Sequence, residues 1–493
     1  MFRALLVKPG QSLISKIAGP PLGVLQIAAV LRERFGREVA ITALDMDAEG
    51  LDLRWLDQHL AAHRYDVVGV SALNAEAPNA RAIAEAVKAH APRTLTVLGG
   101  PHPHRRIEEI LGHTRFDWAI DGEGERVFPA ALERHLGGGE LGTDLPGLGY
   151  RRADGTVHVP AGTDTITDLD ALPYPAWDLI DFDRYARLTN INSMLKGRRY
   201  ASLFTSRGCP YRCNYCHDVF GKKFRHRSAE HVLGEIDWLH ERFGVDELHV
   251  VDDIFNLHRP RLKKIMAGLA SRYGGRVHVA IPGGLRADIL DEPVLDALRQ
   301  GGTYSLSVAI ESASPRIQKL VDKNLDLAKT LWAIEQADRR GMMVRGFFML
   351  GFPTETREEI ESTVRLALGS RLTFGYFFTP SPQKGTPFHE FAERVDAAAL
   401  AALPETSDYH NAESWYERAY GYPLGTLIRW SYVRFYFHPR RLARIVRRAP
   451  PRSLLNGLLQ MVSLVTNTPY GFRASRRAPE HVPAALANPL LAS

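Results

Sequence analysis

Cysteine is the scarcest informative residue here: the 493 positions hold three. An odd trio cannot staple a small secreted fold, so a disulfide framework is excluded and a reducing, cytoplasmic setting is expected. Long apolar runs are also missing. The longest near the C-terminus, Leu454 to Val465, falls short of the roughly 20 residues that cross a bilayer, and no span is predicted. The opening MFRALLVKPG enters an apolar strand-like run without a charged leader region, so export is not expected. Acidic residues are absent from one stretch: Arg429 to Arg477 carries eleven arginines and no Asp, Glu or Lys. With a net charge of +6, the other residues sum to 6 − 11 = −5.

What is present is enough apolar material, 45% of the chain, for roughly three domains with their own cores. The first 135 residues alternate short apolar runs with amphipathic segments. Strands are expected at Ala4 to Val7, Glu38 to Ala43, Val67 to Ser71, Leu95 to Leu98 and Trp118 to Ile120. Helices are expected at Gly23 to Arg34, Ala77 to Ala89 and Glu125 to His135. This βα rhythm predicts an α/β fold with a flavodoxin-like doubly wound sheet, whose ligands sit beyond the carboxyl ends of the strands. Those ends carry Ser71-Ala72-Leu73-Asn74, Gly99-Gly100-Pro101-His102 and Asp121-Gly122-Glu123-Gly124-Glu125.

A second series starts at Tyr200, with strands expected at Ala201 to Ser206, Glu247 to Asp252, Val277 to Ile281, Tyr304 to Ile310, Met343 to Met349 and Leu372 to Phe378. Six βα units are too few for an eight-stranded barrel and predict a partial (βα)6 barrel. The expected division is therefore a doubly wound domain over 1–135, a Gly- and Pro-rich linker draped over the next domain over 136–196, the barrel core over 197–394, and a helical C-terminal domain over 395–493. His389, Tyr376 and Phe378 are candidates to face the pocket, without assignable roles.

All three cysteines, Cys209, Cys213 and Cys216, fall in SRGCPYRCNYCH just after the first barrel strand, where a barrel active site belongs. Thiolates select soft metals, and three on one tight loop can hold three irons of a cubane while leaving the fourth open. A tetrahedral zinc site using His217 as fourth ligand is the competing reading, disfavoured by the spacing and by His217 adjoining Cys216.

RGCPYRCNYC resembles the signature of the radical S-adenosylmethionine (SAM) superfamily, in which SAM chelates the open iron of a 4Fe-4S cluster and is cleaved to a 5'-deoxyadenosyl radical. The resemblance spans roughly residues 200 to 390. It implies SAM-binding roles for Tyr215 in the cysteine run, Asp252 and Asp253 in VVDDIFN, Arg286 in GLRAD, Glu311 and Ser312 in SVAIESAS, and Gly351 in FMLGFPTET. Ala313 stands where glycine is usual. Taken singly, each of these residues also has an ordinary structural reading as a cap, an ion-pair member or a turn.

The doubly wound domain ahead of such a barrel resembles the cobalamin-binding subclass, through PPLGVLQIAAVLRE, LGGPH and DGEGE. The resemblance implies cobalamin contacts at Ser71, Leu73, Gly99, Gly100, Pro101, Gly122, Glu123 and Gly124. The D-x-H-x-x-G motif that supplies a histidine to cobalt is absent. Together these imply a C-methyltransferase acting on an unactivated carbon, with an oxidative or ring-forming cyclase as alternative and a non-catalytic cobalamin or SAM sensor as a reading of another class. The expected partners are a small-molecule or lipid-like substrate and an external one-electron donor of flavodoxin or ferredoxin type. RWSYVRFYFHPRRLARIVRR is compatible with a peripheral membrane contact or with a solvated basic helix face; nucleic acid is not expected.

Overall fold

The computed structural model describes residues 1–11, 19–188, 190, 192, 194–403 and 415–466. They divide into two compact units, the first ending at 188 and the second continuing through the last described helix.

In the first unit, strands β1 (Phe2–Lys8), β2 (Val39–Asp45), β3 (Val67–Ser71), β4 (Leu95–Gly99) and β5 (Trp118–Ile120) run parallel in the order β2-β1-β3-β4-β5. This is the doubly wound arrangement expected. Both faces are covered, so successive residues of a strand enter opposite cores and the run reads as continuously apolar. Ala4 and Leu6 pack with Leu31, Phe128 and Ala131 on one side. Leu5 and Val7 pack with Leu56, Ile83 and Ile110 on the other.

The segment read as a linker does more than connect. Strands β6 (Leu148–Arg151) and β7 (Val157–His158) extend the same sheet, β6 antiparallel to β5. The chain after them lies on the first unit: Gln26 donates to the Pro173 carbonyl at 2.9 Å, and Arg32 meets Asp178 at 2.8 Å. The sequence hid these strands because they are two to four residues long, at a sheet edge and surrounded by Gly, Pro and Asp. A Cβ at Gly149 would lie 2.2 Å from Ile107, so this glycine makes room for a helix.

In the second unit, β8 (Tyr200–Leu203) is followed by a short antiparallel pair, β9 (Ser206–Arg207) and β10 (Arg225–His226), then β11 (Glu247–Val250), β12 (His278–Leu285), β13 (Thr303–Glu311), β14 (Met343–Met349) and β15 (Phe374–Phe378). β8 and β11–β15 form a six-stranded parallel sheet ordered β8-β11-β12-β13-β14-β15, the expected partial barrel.

The outer edge of β15 would present unpaired backbone groups. The helix Leu424–Tyr436 covers it: Phe377 donates its N–H to the Tyr432 hydroxyl at 3.0 Å, and the Tyr436 hydroxyl donates to the Gly375 carbonyl at 3.0 Å. A Cβ at Gly375 would strike the Phe435 ring at 2.9 Å. The described C-terminal helices thus pack on the barrel edge and belong to the same compact unit.

Three arginines of the basic stretch are committed there. Arg441 is buried, stacks on Phe435 at 3.6 Å and donates to the carbonyls of Phe435, Leu368 and Leu372. Arg444 reaches the Arg371 carbonyl, and Arg448 pairs with Asp338. Arg473, Arg476 and Arg477 lie outside the described residues. Among the described residues no helix is long and apolar enough to cross a membrane.

Candidate functional site

The cysteine run is the excursion between β9 and β10. It leaves β9 through Gly208, whose φ is +80° and where a Cβ would sit 2.4 Å from the Lys223 carbonyl; only glycine fits. The Gly208 N–H donates to Asp253 at 2.9 Å, and the Cys216 N–H to the Cys213 carbonyl at 3.2 Å. Asn214, between Cys213 and Tyr215, donates its backbone N–H to the Val321 carbonyl and its side-chain amide to that of Leu320.

Desolvation and the neighbouring Cys213 push the Cys216 thiol up to about 12, although the outer surface of the residue is exposed. Burial raises Cys209 as well. Thiolates are the ligands that iron takes in such clusters. His217 faces an acidic neighbour instead of completing a ligand set: its Nε2 stands 4.0 Å from Asp253.

The strand-end residues surround this loop. Asp252 is buried and accepts from the Thr205 N–H at 2.6 Å, the Thr205 hydroxyl and the Ser206 hydroxyl. It therefore braces the exit of β8, while Asp253 braces Gly208. Arg286 sits over the Tyr211 ring of the cysteine run, 3.8 Å from its centre, and forms a two-pronged pair with Asp288 at 3.0 and 3.1 Å. Its guanidinium is at the expected strand end but already carries a carboxylate partner.

Glu311 ends β13 with φ +65°, a conformation costly for a side chain of its kind. Its Oε1 accepts from Lys323 at 3.0 Å and from the Tyr215 hydroxyl at 3.3 Å; its Oε2 is buried without a partner. An orphaned buried carboxylate oxygen beside the cysteine loop is what a polar ligand such as SAM would satisfy. Ser312 faces elsewhere, to Thr363 at 3.3 Å and Glu355 at 3.4 Å. Gly351 has φ +91° and donates its N–H to Glu355 at 2.7 Å. Burial lifts the Glu355 carboxyl to about 7. Lys323 and Glu355 were not singled out from the sequence. The signal for Lys323 is the triplet Asp322-Lys323-Asn324, whose outer residues are the types that tolerate left-handed backbone and have φ +53° and +49°.

In the first unit the eight expected residues gather at the carboxyl ends of β3, β4 and β5. Gly100 has φ +84°, and a Cβ there would lie 2.8 Å from the Ala72 backbone. Nothing lies within 4 Å of a Cβ placed at Gly99, and Leu73 beside it is 43% exposed. Pro101 continues the β4 turn. Gly122 has φ +89°, Glu123 is buried, and Gly124 opens the helix Gly124–Leu136. An open glycine backbone next to an exposed leucine, at the ends of adjacent strands, fits a large, partly apolar cofactor. Two histidines of the same turn are paired: His102 with Asn74 at 2.9 Å and His104 with Asp121 at 2.7 Å. Burial pulls His102 down to about 4, so it is neutral.

Comparison with known proteins finds a family match in each of the two units. The model of the Radical SAM superfamily matches residues 203–367, and that of the B12 binding domain matches 15–132. An uncharacterized methyltransferase of Pyrococcus horikoshii is 29% identical over 93% of this chain and 98% of its own. The cytidylyl-2-hydroxyethylphosphonate methyltransferase of Streptomyces wedmorensis is 30% identical over 74% of this chain and 76% of its own.

This chain belongs to the cobalamin-binding radical SAM family.

The fold agrees. A radical SAM methyltransferase of Kitasatospora setae, solved with tryptophan and a SAM analogue, superposes with a TM-score of 0.65 at 20% identity, covering 81% of this chain and 77% of its own. Membership in the cobalamin-binding radical SAM family brings three cofactors: a 4Fe-4S cluster, SAM and cobalamin. Among the described residues no group of three or more His, Cys, Asp or Glu side chains is gathered as around a metal ion; the thiol chemistry of Cys209, Cys213 and Cys216, the unsatisfied Oε2 of Glu311 and the open turn at Gly99 suit the three groups in turn.

Proposed function

We propose that this enzyme transfers a methyl group to an unactivated carbon of a small molecule. The observation that carries this reading is the relatedness, over most of their lengths, to two proteins named as methyltransferases, with both domain models matched in one chain. Bound together, the three cofactors supply one-electron reduction, hydrogen abstraction and a methyl donor.

The chain's own residues hold and orient. Cys209, Cys213 and Cys216 are the cluster ligands in this reading. Asp253 fixes the loop through Gly208, and Asp252 fixes the strand end from which the loop departs. Glu311 offers a carboxylate oxygen to SAM, and the Gly351 turn shapes the same end of the barrel. Gly99, Gly100, Gly122 and Gly124 bring backbone close to cobalamin. At the ends of β14 and β15, Phe347 meets Tyr376 and Phe378 at 5.8 and 5.9 Å between ring centres; this aromatic wall suits an apolar face of the substrate. The chain has no fourth cysteine, so the methyl carrier is sought in the first unit, and the reducing electron comes from an external flavodoxin- or ferredoxin-type donor. For a lipid surface, the exposed Trp430 and Phe437 with exposed Arg429, Arg434 and Arg440 are the groups on offer; salt-sensitive sedimentation with anionic liposomes tests that contact.

The deciding experiment is anaerobic turnover of the reconstituted enzyme with a reductant, quantifying SAM products. Methyl transfer gives 5'-deoxyadenosine and S-adenosylhomocysteine in step with methylated product. Cyclisation or oxidation gives 5'-deoxyadenosine without S-adenosylhomocysteine, and a sensor gives neither.

A further inference from the structure

Lys323 is a buried ammonium placed with unusual care. Its Nζ donates to Glu311 Oε1 at 3.0 Å and to the Tyr215 hydroxyl at 3.2 Å. The side chain is 9% exposed and that of Glu311 5%. The backbone that delivers it is strained on both sides, with Asp322 and Asn324 left-handed. Gln318 holds that backbone in place. Its carbonyl accepts the Lys323 N–H at 3.0 Å, and its side-chain amide donates to the carbonyls of Ile310 and Ser312, the two residues flanking Glu311. Its amide oxygen accepts the Leu325 N–H at 3.2 Å. Backbone strain persists where the surroundings over-determine it, and such sites are commonly functional.

The same short segment also holds the cysteine loop, because Asn214 bonds to the carbonyls of Leu320 and Val321. One strained turn therefore touches the loop that carries the cysteines, through Asn214 and Tyr215, and the carboxylate that ends β13.

We propose that Lys323 is a positioning residue for SAM: by occupying Oε1 of Glu311 and the hydroxyl of Tyr215, it fixes the carboxylate so that the unpartnered Oε2 is turned toward the ligand. A buried carboxylate stripped of its cation is left uncompensated, and nothing then holds its side chain in that orientation. The inference rests on the radical SAM reading but not on methyl transfer, since SAM binding without turnover is its readout.

The test uses the full chain, anaerobically reconstituted with iron and sulfide, and equilibrium dialysis with labelled SAM. Lys323→Met removes the charge at similar length. It is expected to weaken SAM binding about tenfold, the scale of one charge-assisted hydrogen bond, with iron and cobalamin content unchanged. Lys323→Arg restores most of the affinity. The double variant Lys323→Met/Glu311→Gln binds no more weakly than Glu311→Gln alone, because Lys323 acts through Glu311. The shift that SAM induces in the paramagnetic resonance spectrum of the reduced cluster is kept in Lys323→Arg and lost in Lys323→Met.

Three results overturn the proposal: wild-type affinity in Lys323→Met, additive losses in the double variant, or loss of iron in Lys323→Met, which would make Lys323 a support of the cluster loop. Failure of the unaltered protein to bind SAM would instead strike the family reading itself.

Discussion

Single side chains carry unequal burdens in this protein, and the cysteines show how. Each would ligate a different iron, so no one of them substitutes for another. Replacing Cys209, Cys213 or Cys216 by serine is expected to bring iron after reconstitution down to background in each variant, with cobalamin binding retained because its site is built from the other unit. Retention of a full iron complement in any of the three variants would remove that cysteine from the ligand set. A second residue-scale prediction concerns Glu76. It is buried, accepts the Leu73 N–H at 2.9 Å and lies 3.8 Å from Lys8. Burial outweighs the lysine and raises its carboxyl to about 7. A carboxyl raised in the folded state is more protonated there than in the unfolded chain. Its stabilisation is therefore complete below about pH 4.5 and is lost as pH rises through 7. Glu76→Gln should flatten the pH dependence of stability across that window, by up to about 3 kcal/mol, while keeping the bond to Leu73. Denaturant titrations of both proteins at pH 5 and pH 8 read this directly; equal slopes would dismiss it.

At the scale of elements, the helix Pro439–Arg448 is tied to the barrel through Arg441, whose planar group both stacks on Phe435 and serves carbonyls at the end of the helix Arg357–Gly369. Burial pulls its pKa down only to about 10, so it stays charged. Arg441→Met should destabilise the second unit by roughly 3 kcal/mol, since several buried carbonyls lose their donor. Arg441→Lys should recover less than half, because an ammonium cannot stack and fork at once. Chemical denaturation monitored by tryptophan fluorescence distinguishes the two. This element also marks where sequence reading stops. Period and strand-end position were enough to place the parallel strands, several to the residue, because burial on both faces writes itself as a continuous apolar run. The cysteine loop was legible because its chemistry is local. Apart from Phe435, the partners of Arg441 are about 70 residues upstream, so little in the basic stretch itself separates a structural arginine from a solvated one. Lys323 was missed for the same reason: its meaning lies in Glu311 and Tyr215. β6 and β7 were missed because two to four residues at a sheet edge do not establish a period.

At the scale of the whole chain, the division into two units predicts how stability responds to cofactors. A ligand that binds only the folded form stabilises the unit that holds it by RT ln(1 + [L]/Kd), about 2.7 kcal/mol at a hundredfold excess over Kd. For a unit of the first one's size, 1–188, that is roughly 5–10 °C in its transition midpoint. Chains with separate cores commonly melt in more than one step. Calorimetry of the reconstituted protein should therefore show two transitions. Hydroxocobalamin is expected to raise one of them by this amount, and SAM added to the cluster-loaded protein the other. The Cys213→Ser variant should keep the cobalamin shift and lose the SAM shift, because the cysteine loop belongs to the second unit and the Gly99–Gly100 turn to the first. A single transition moved by both ligands would mean that the two cores unfold together. The assignment of one cofactor set to each unit would then need support from binding measurements alone.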